Sequence, residues 1–273
     1  MSLHETNLPV VSAPAPTQFT TLTVVAIVLA VLSLLWSFVD PRLIEGVPVW
    51  MKPVKFALSF ALFFGTLALV ETRLSAPGRD GWTLRATGWV MGAAFLSEMA
   101  YMMYQAGRGE ASHFNLSTPF TELMYSTVMA VGAVALVIGT AVVGWVVKRD
   151  QAASLSPALR EAIWLGFLLT FVLTMIVAGY MSSGSTRFVG VHPDGAPTLP
   201  LVGWSGVTGD LRPAHFASLH AMQALPLLAL WLGRGKEAPG AVRTIRIAAF
   251  VYATLTFAIF AQALMGLPLI PLG

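Results

Sequence analysis

The sequence predicts an all-α integral membrane protein, a seven-helix transmembrane bundle with a long ordered loop capping its outer face. Three observations predict it. Of 273 residues, 56% are hydrophobic and only 11% charged, against roughly 25% charged in soluble domains, and the mean hydropathy is +0.74. Apolar runs recur at the length a helix needs to cross hydrocarbon, roughly 17–25 residues. Breakers or charge clusters separate them: Asp40-Pro41, Ala76-Pro77-Gly78, Gly107-Arg108-Gly109, Lys148-Arg149-Asp150, Gly233-Arg234-Gly235 and Gly266-Leu267-Pro268. Lipid offers backbone groups no hydrogen bonds, so spans this long and apolar must be helices.

The elements follow in order. Residues 1–19 hold Pro9, Pro14 and Pro16 with few large apolar side chains, and are expected to be a disordered tail. The tail has no Lys or Arg. The run over 20–39 is longer than a signal-peptide core and ends in Asp40-Pro41-Arg42, so it is expected to be a retained span. Further spans are expected over 54–71, 86–106, 123–147, 161–181, 214–232 and 245–265. Gly88-x-x-x-Gly92 and Ala135-x-x-x-Gly139 allow close helix approach. No internal repeat of the kind common in transporters is visible.

Basic residues set the expected orientation. With the N-terminus cytoplasmic, the inner segments hold ten Lys and Arg and the outer ones six. Two of those six, Lys52 and Lys55, lie at or inside a span. The reading is N-terminus in and C-terminus out.

Under that topology the connections 40–53, 107–122 and 182–213 share the outer face and carry nearly all the unusual polar residues. Lys52 and Lys55 fall in the first turn of the second span, where the helix dipole disfavours cations. They share a face with Ser59. Their expected carboxylate partners are Glu98 and Glu122. Glu98, Tyr101 and Gln105 recur at i, i+3, i+7 in the third span, followed by Arg108; a carboxylate at that depth requires a partner. Ser117 or Thr118 before Pro119, with Glu122 following, is expected to open the fourth helix. The connection 182–213 is 32 residues long with ten Gly or Pro, too long for a tight turn and too apolar for disorder. It is expected to be an ordered cap carrying Arg187, His192, Asp194, Asp210 and Arg212. In the sixth span His220 and Gln223 share a face, and Pro226 is expected to kink the helix beside them.

Composition excludes several classes. A net charge of +3 without any basic block rules out a nucleic-acid track. The absence of cysteine removes disulfides, thiolate metal sites, c-type haem attachment and thiol catalysis. HExxH, Walker A, GxSxG and dinucleotide fingerprints are absent. The last helix has neither the lysine of a retinal protein nor the histidine pair of hydrolases resembling adiponectin receptors.

Several strings, taken together, carry a resemblance: Asp40-Pro41-Arg42, Gly46 to Trp50, Lys52 to Phe56, Ser112-His113-Phe114-Asn115, His192-Pro193-Asp194-Gly195, Gly203-Trp204-Ser205, Gly209 to Arg212, His215-Phe216 and Leu219 to Leu227. The chain resembles a group of bacterial multi-span membrane proteins to which no function is attached. The resemblance implies a bacterial inner-membrane location and nothing about substrate.

Three functions compete. Four histidines, His113, His192, His215 and His220, fall on the outer side and would hold a haem b or a divalent metal beneath the cap, with Asp194, Asp210 or Glu110 completing a metal site. Lys55, Glu98, Gln223 and Gln262 would instead line a transport path for a small solute or ion. A sensory module would bind a lipid, quinone or anionic ligand against Lys52, Lys55, Arg108 and Arg212. The sequence favours the first, a haem- or metal-binding redox protein in contact with the bilayer, and leaves the reaction open.

Overall fold

The computed structural model describes residues 17–184, 186–233 and 239–272. Most of the disordered-tail expectation (1–16) lies outside them, while the first helix, α1 (Gln18–Trp36), begins inside the expected tail, opened by Thr17, whose hydroxyl accepts from the Thr20 amide. Then come a two-residue hairpin, β1 (Leu43–Ile44) and β2 (Val47–Pro48), and α2 (Met51–Glu71). A short α3 (Ala76–Asp80) precedes α4 (Trp82–Arg108). The fourth long helix is composite: α5 (Pro119–Leu123), a π-helical turn (Met124–Met129) and α6 (Ala130–Arg149) run as one rod over Pro119–Arg149. It is followed by α7 (Pro157–Ser183), β3 (Phe188–Val189) paired antiparallel with β4 (Gly209–Asp210), α8 (Arg212–Leu232) and α9 (Ala241–Leu264).

Five of these helices are long and apolar enough to cross a membrane: α1, α2, the Pro119–Arg149 rod, α7 and α9. Large apolar side chains such as Val24, Leu69, Val131, Ile176 and Phe250 point outward from them. That is the surface of a protein in a lipid bilayer, since water would not tolerate it. Helices α4 and α8, of 27 and 21 residues, are as long but carry Glu98 and Gln105, or His215, His220 and Gln223. Their polar content sets them apart from the other five.

The helices pack α1 on α2, α4 on α6, α6 on α7, and α7 on α8 and α9. Small residues permit the close approaches. A methyl at Gly92 would meet Leu22 of α1, and one at Gly139 would meet Met91, so both small-residue motifs sit at helix contacts. The main core gathers Phe19, Phe64, Phe95, Met91, Met99 and Phe167. A smaller one joins Leu225, Ala229 and Ile245 between α7, α8 and α9.

Polar groups secure both ends. At one end Asp150 accepts from the amide and hydroxyl of Ser75, and Glu161 pairs with Lys148 and Arg246. Buried Glu71 accepts from the Phe19 amide at the start of α1, where the dipole favours an anion. At the other end Arg42 clamps Asp40 and donates to the carbonyl of Gly107 at 2.9 Å, tying the hairpin to the end of α4. At Pro226, where a kink is expected, α8 is not broken. The helix continues through it, and the Thr170 hydroxyl of α7 inserts one turn earlier, accepting from Met222 N and donating to Leu219 O.

Candidate functional site

The hairpin and the first turn of α2 deliver the central lysine. The turn at Glu45 and Gly46 has positive φ at both residues, which Gly46 adopts freely. It leads into Trp50, which opens α2 without a side-chain cap. The Lys52 ammonium lies 5.9 Å from the centre of the Phe56 ring. Glu45, Arg187 and Glu98 are close enough to act on it electrostatically, yet among the described residues none forms a salt bridge with it. Lys55 turns outward and donates to the carbonyl of Leu201 at 3.2 Å.

Helix α4 supplies the buried side. Glu98, Tyr101 and Gln105 share the inward face that their spacing predicts and are all buried. Gln105 has partners, donating to Glu110 and to the carbonyl of Ala111. The other two are short of partners: Glu98 Oε1 and the Tyr101 hydroxyl are buried without a hydrogen bond. Glu98 faces Gly132, where an added Cβ would stand 3.0 Å from Oε1. Gly132 follows the π-helical turn, a feature frequent at functional positions. That turn presents Tyr125 to His113 and Phe114.

His113 closes this group. Its ring packs against Phe56 and Tyr125, with centroids 5.5 and 5.7 Å away, and Nδ1 is 3.1 Å from the Ser112 hydroxyl. Burial, with the nearby Lys52 charge, pushes its pKa down to about 3, so the imidazole is neutral.

Two expected members lie elsewhere. Arg108 points away and pairs with Glu110 and Tyr104 on an exposed surface. Glu122 is exposed in the first turn of α5 and does not reach the lysines. The helix start there is instead a capping box between Thr118 and Thr121, because position N3 is Thr121.

The connection between α7 and α8 forms a second group. Asp210 is fully buried and accepts from the amides of Ser205 and Arg212 and, bidentately, from the Arg212 guanidinium at 2.6 Å. His192 stacks on Phe188 at 4.1 Å and reaches the Ser205 hydroxyl. The guanidinium groups of Arg187 and Arg212 also lie against Phe188, a cation–π arrangement. Asp194 is exposed. Arg212 is satisfied by Asp210 and by the carbonyl of Gly203. Arg187 is not: its Nε is buried without an acceptor. Burial and the neighbouring Arg212 charge pull its pKa below the ordinary guanidinium value.

The third group lies on α8. His220 Nδ1 is 3.2 Å from the Gln223 side-chain oxygen, and Gln223 donates to Thr66 of α2. His215 Nδ1 is buried without a partner. Gln262 donates to the Pro268 carbonyl and takes no part in the group around Lys52.

The four histidines therefore do not form one site. His113 sits among aromatics, His192 stacks within the α7–α8 connection, and His215 and His220 lie on different faces of α8. Among the described residues no group of three or more His, Asp or Glu is placed to hold a metal ion. The structure instead brings Lys52, Glu98 and His113 near one another and adds Arg187 and Glu45. Arg187 was legible only as a loop arginine, and no local signal marks Glu45, Gly132 or the π-helical turn.

Comparison of the chain with known protein families, with curated proteins and with solved structures gives no match. The site must be read from its own chemistry.

Proposed function

We propose that the protein is a seven-span inner-membrane protein, N-terminus in, that binds a small anion of the carboxylate or phosphate class at its outer end between Lys52 and Arg187. One observation carries the reading. Lys52 and Arg187, from separate elements, lie within electrostatic reach, and among the described residues neither side chain forms a salt bridge or a hydrogen bond. Glu45 acts on both cations without forming an ion pair with either, and a bound anion would pair with both directly. The N-terminus of α2 adds the positive end of its dipole. Glu98 and the Tyr101 hydroxyl supply a buried acceptor and donor for a protonated or hydroxylated part of the same ligand. The segment 182–213, which carries Arg187, acts as the cap over this end.

A haem or metal site on the histidines has less support, because the described residues hold them apart. A binding module is preferred over a transport path because the polar residues gather at one end of the helices.

The test is thermal unfolding of the purified protein in detergent across a panel of inorganic phosphate and short mono- and dicarboxylates. A ligand at 100 times its Kd should stabilise by about 2.7 kcal/mol. Lys52→Gln and Arg187→Gln should each abolish that response while Lys55→Gln keeps it. A panel with no stabiliser, or variants that respond like wild type, would sink the reading. A Soret band in the same preparation that disappears in His220→Ala would replace it with the haem reading.

A further inference from the structure

Two cavities lie away from the Lys52 site and share one wall residue, Trp145. The first, of about 430 Å³, is at the opposite end of the bundle, among Ser75, Thr83, Trp145, Arg149, Asp150 and Gln151. The second, of about 280 Å³, runs between α6 and α7 and is lined by apolar side chains only, including Ile138, Ala141, Trp145, Trp164, Leu168 and Phe171. Trp145 lines both. A mostly apolar chamber at the helix ends, carrying a few polar and charged groups, thus lies beside an apolar groove along the helices.

The charges in the chamber are unequal. Asp150 is already used: its carboxylate takes the amide and hydroxyl of Ser75 at 2.8 Å each. Gln151 donates to the carbonyl of Lys148. The side chain of Arg149, an exposed residue, has no ion pair or hydrogen bond among the described residues. Its guanidinium rests over the Trp145 ring at 5.2 Å, which orients it without neutralising it. The Thr83 hydroxyl has no partner among the described residues either.

The dimensions match one lipid chain. From Trp145 to Ile138 the groove follows α6 for seven residues, about 10 Å at 1.5 Å per residue. Half of the hydrocarbon core is about 15 Å, so the groove crosses most of one leaflet. Tryptophan at its mouth is the residue that favours the boundary between headgroup and hydrocarbon.

We propose that this composite cavity is a phospholipid site, with the lipid phosphate on Arg149 and one acyl chain in the α6–α7 groove. The occupant carries an anion and a chain on the same molecule because the two halves share a wall. Its binding is independent of the small-anion site at the other end.

The test is native mass spectrometry of the full chain in detergent after exchange into dioleoylphosphatidylglycerol or dioleoylglycerol. One phosphatidylglycerol should remain on the wild type and on Arg85→Ala, a basic residue outside the cavity. Arg149→Ala removes a charge-assisted contact and should cut retention about tenfold or more. Leu168→Trp fills the groove and should do the same, with folding checked by melting temperature. Dioleoylglycerol, which lacks the phosphate, should be retained far less than phosphatidylglycerol by the wild type, a comparison that needs no variant. Equal retention of the two lipids overturns the proposal, as does wild-type retention in Arg149→Ala. Loss in Arg149→Ala with full retention in a folded Leu168→Trp would mean a headgroup or free-anion site, and would overturn it as well.

Discussion

Asp210 shows how one side chain organises a loop. Its carboxylate has no exposed surface, is held bidentately by Arg212, and collects the amides of Ser205 and Arg212. Ser205 in turn holds His192. Removing one partner of such a buried pair leaves the other uncompensated, which costs about 3–5 kcal/mol. Asp210→Asn should therefore lower the melting temperature strongly, and limited proteolysis should cut within 184–211. His113 makes a prediction about pH. Its folded pKa of about 3 lies below its ordinary 6.5, so the unfolded chain binds the proton more readily. Stability from this residue is complete above pH 6.5 and declines as pH falls toward 3, by up to about 1.4 kcal/mol per pH unit. Melting curves of His113→Gln should lack that part of the acid slope. An unchanged slope would assign the loss to other groups. The sequence placed Asp210 and Arg212 side by side and marked His113 as unusual. It could not say that the first pair is satisfied while Lys52 and Arg187 are not, because satisfaction depends on partners more than a hundred residues away.

At the scale of elements, the hydrophobic period and the breakers determine where helices lie, and most starts fall two to four residues earlier than the apolar runs alone suggest. Many of the extra residues are polar or cap-forming, such as Ser156 and Pro157 at the head of α7 or Thr83 and Arg85 at the head of α4. Hydropathy does not register them, whereas backbone hydrogen bonding does. The π-helical turn was not legible: one inserted residue in a helix leaves the apolar pattern of Met124–Met129 almost unchanged. Packing between elements is sharper than composition suggests. A Cβ on Gly166 of α7 would stand 2.7 Å from the carbonyl oxygen of Ala221 and 3.3 Å from Cα of Met222, both rigid backbone. Gly166→Ala should separate α7 from α8 and cost about 1–3 kcal/mol. Chemical denaturation in mixed micelles checks this, and a neutral result would mean that α8 slides easily past α7.

For the whole molecule, the connections at each end hydrogen-bond among themselves: Arg42 with Gly107 and Lys55 with Leu201 at one end, Ser75 with Asp150 and Arg73 with Ser154 at the other. The proposed orientation assigns the first end to the non-cytoplasmic side. Because the chain has no cysteine, single substitutions report it directly. Leu43→Cys should react with a membrane-impermeant maleimide on intact cells, and Gln151→Cys only after the membrane is opened. The reverse pattern would invert the topology and move the Lys52 site to the cytoplasm.

The sequence by itself determined that this is a helical membrane protein, because length and apolarity are properties of each run and lipid permits no other backbone. With every apolar run counted as a crossing, it also led to the expectation that the unusual polar residues gather at one end, since alternate connections then share a side. Tertiary structure alone decided which of them meet. It spread the four histidines over three groups, turned Arg108 and Glu122 outward, and brought Arg187 within electrostatic reach of Lys52 across 135 residues of chain. Those outcomes depend on helix rotation and on the path of a Gly- and Pro-rich loop. Both are set by contacts between distant residues that no local pattern encodes.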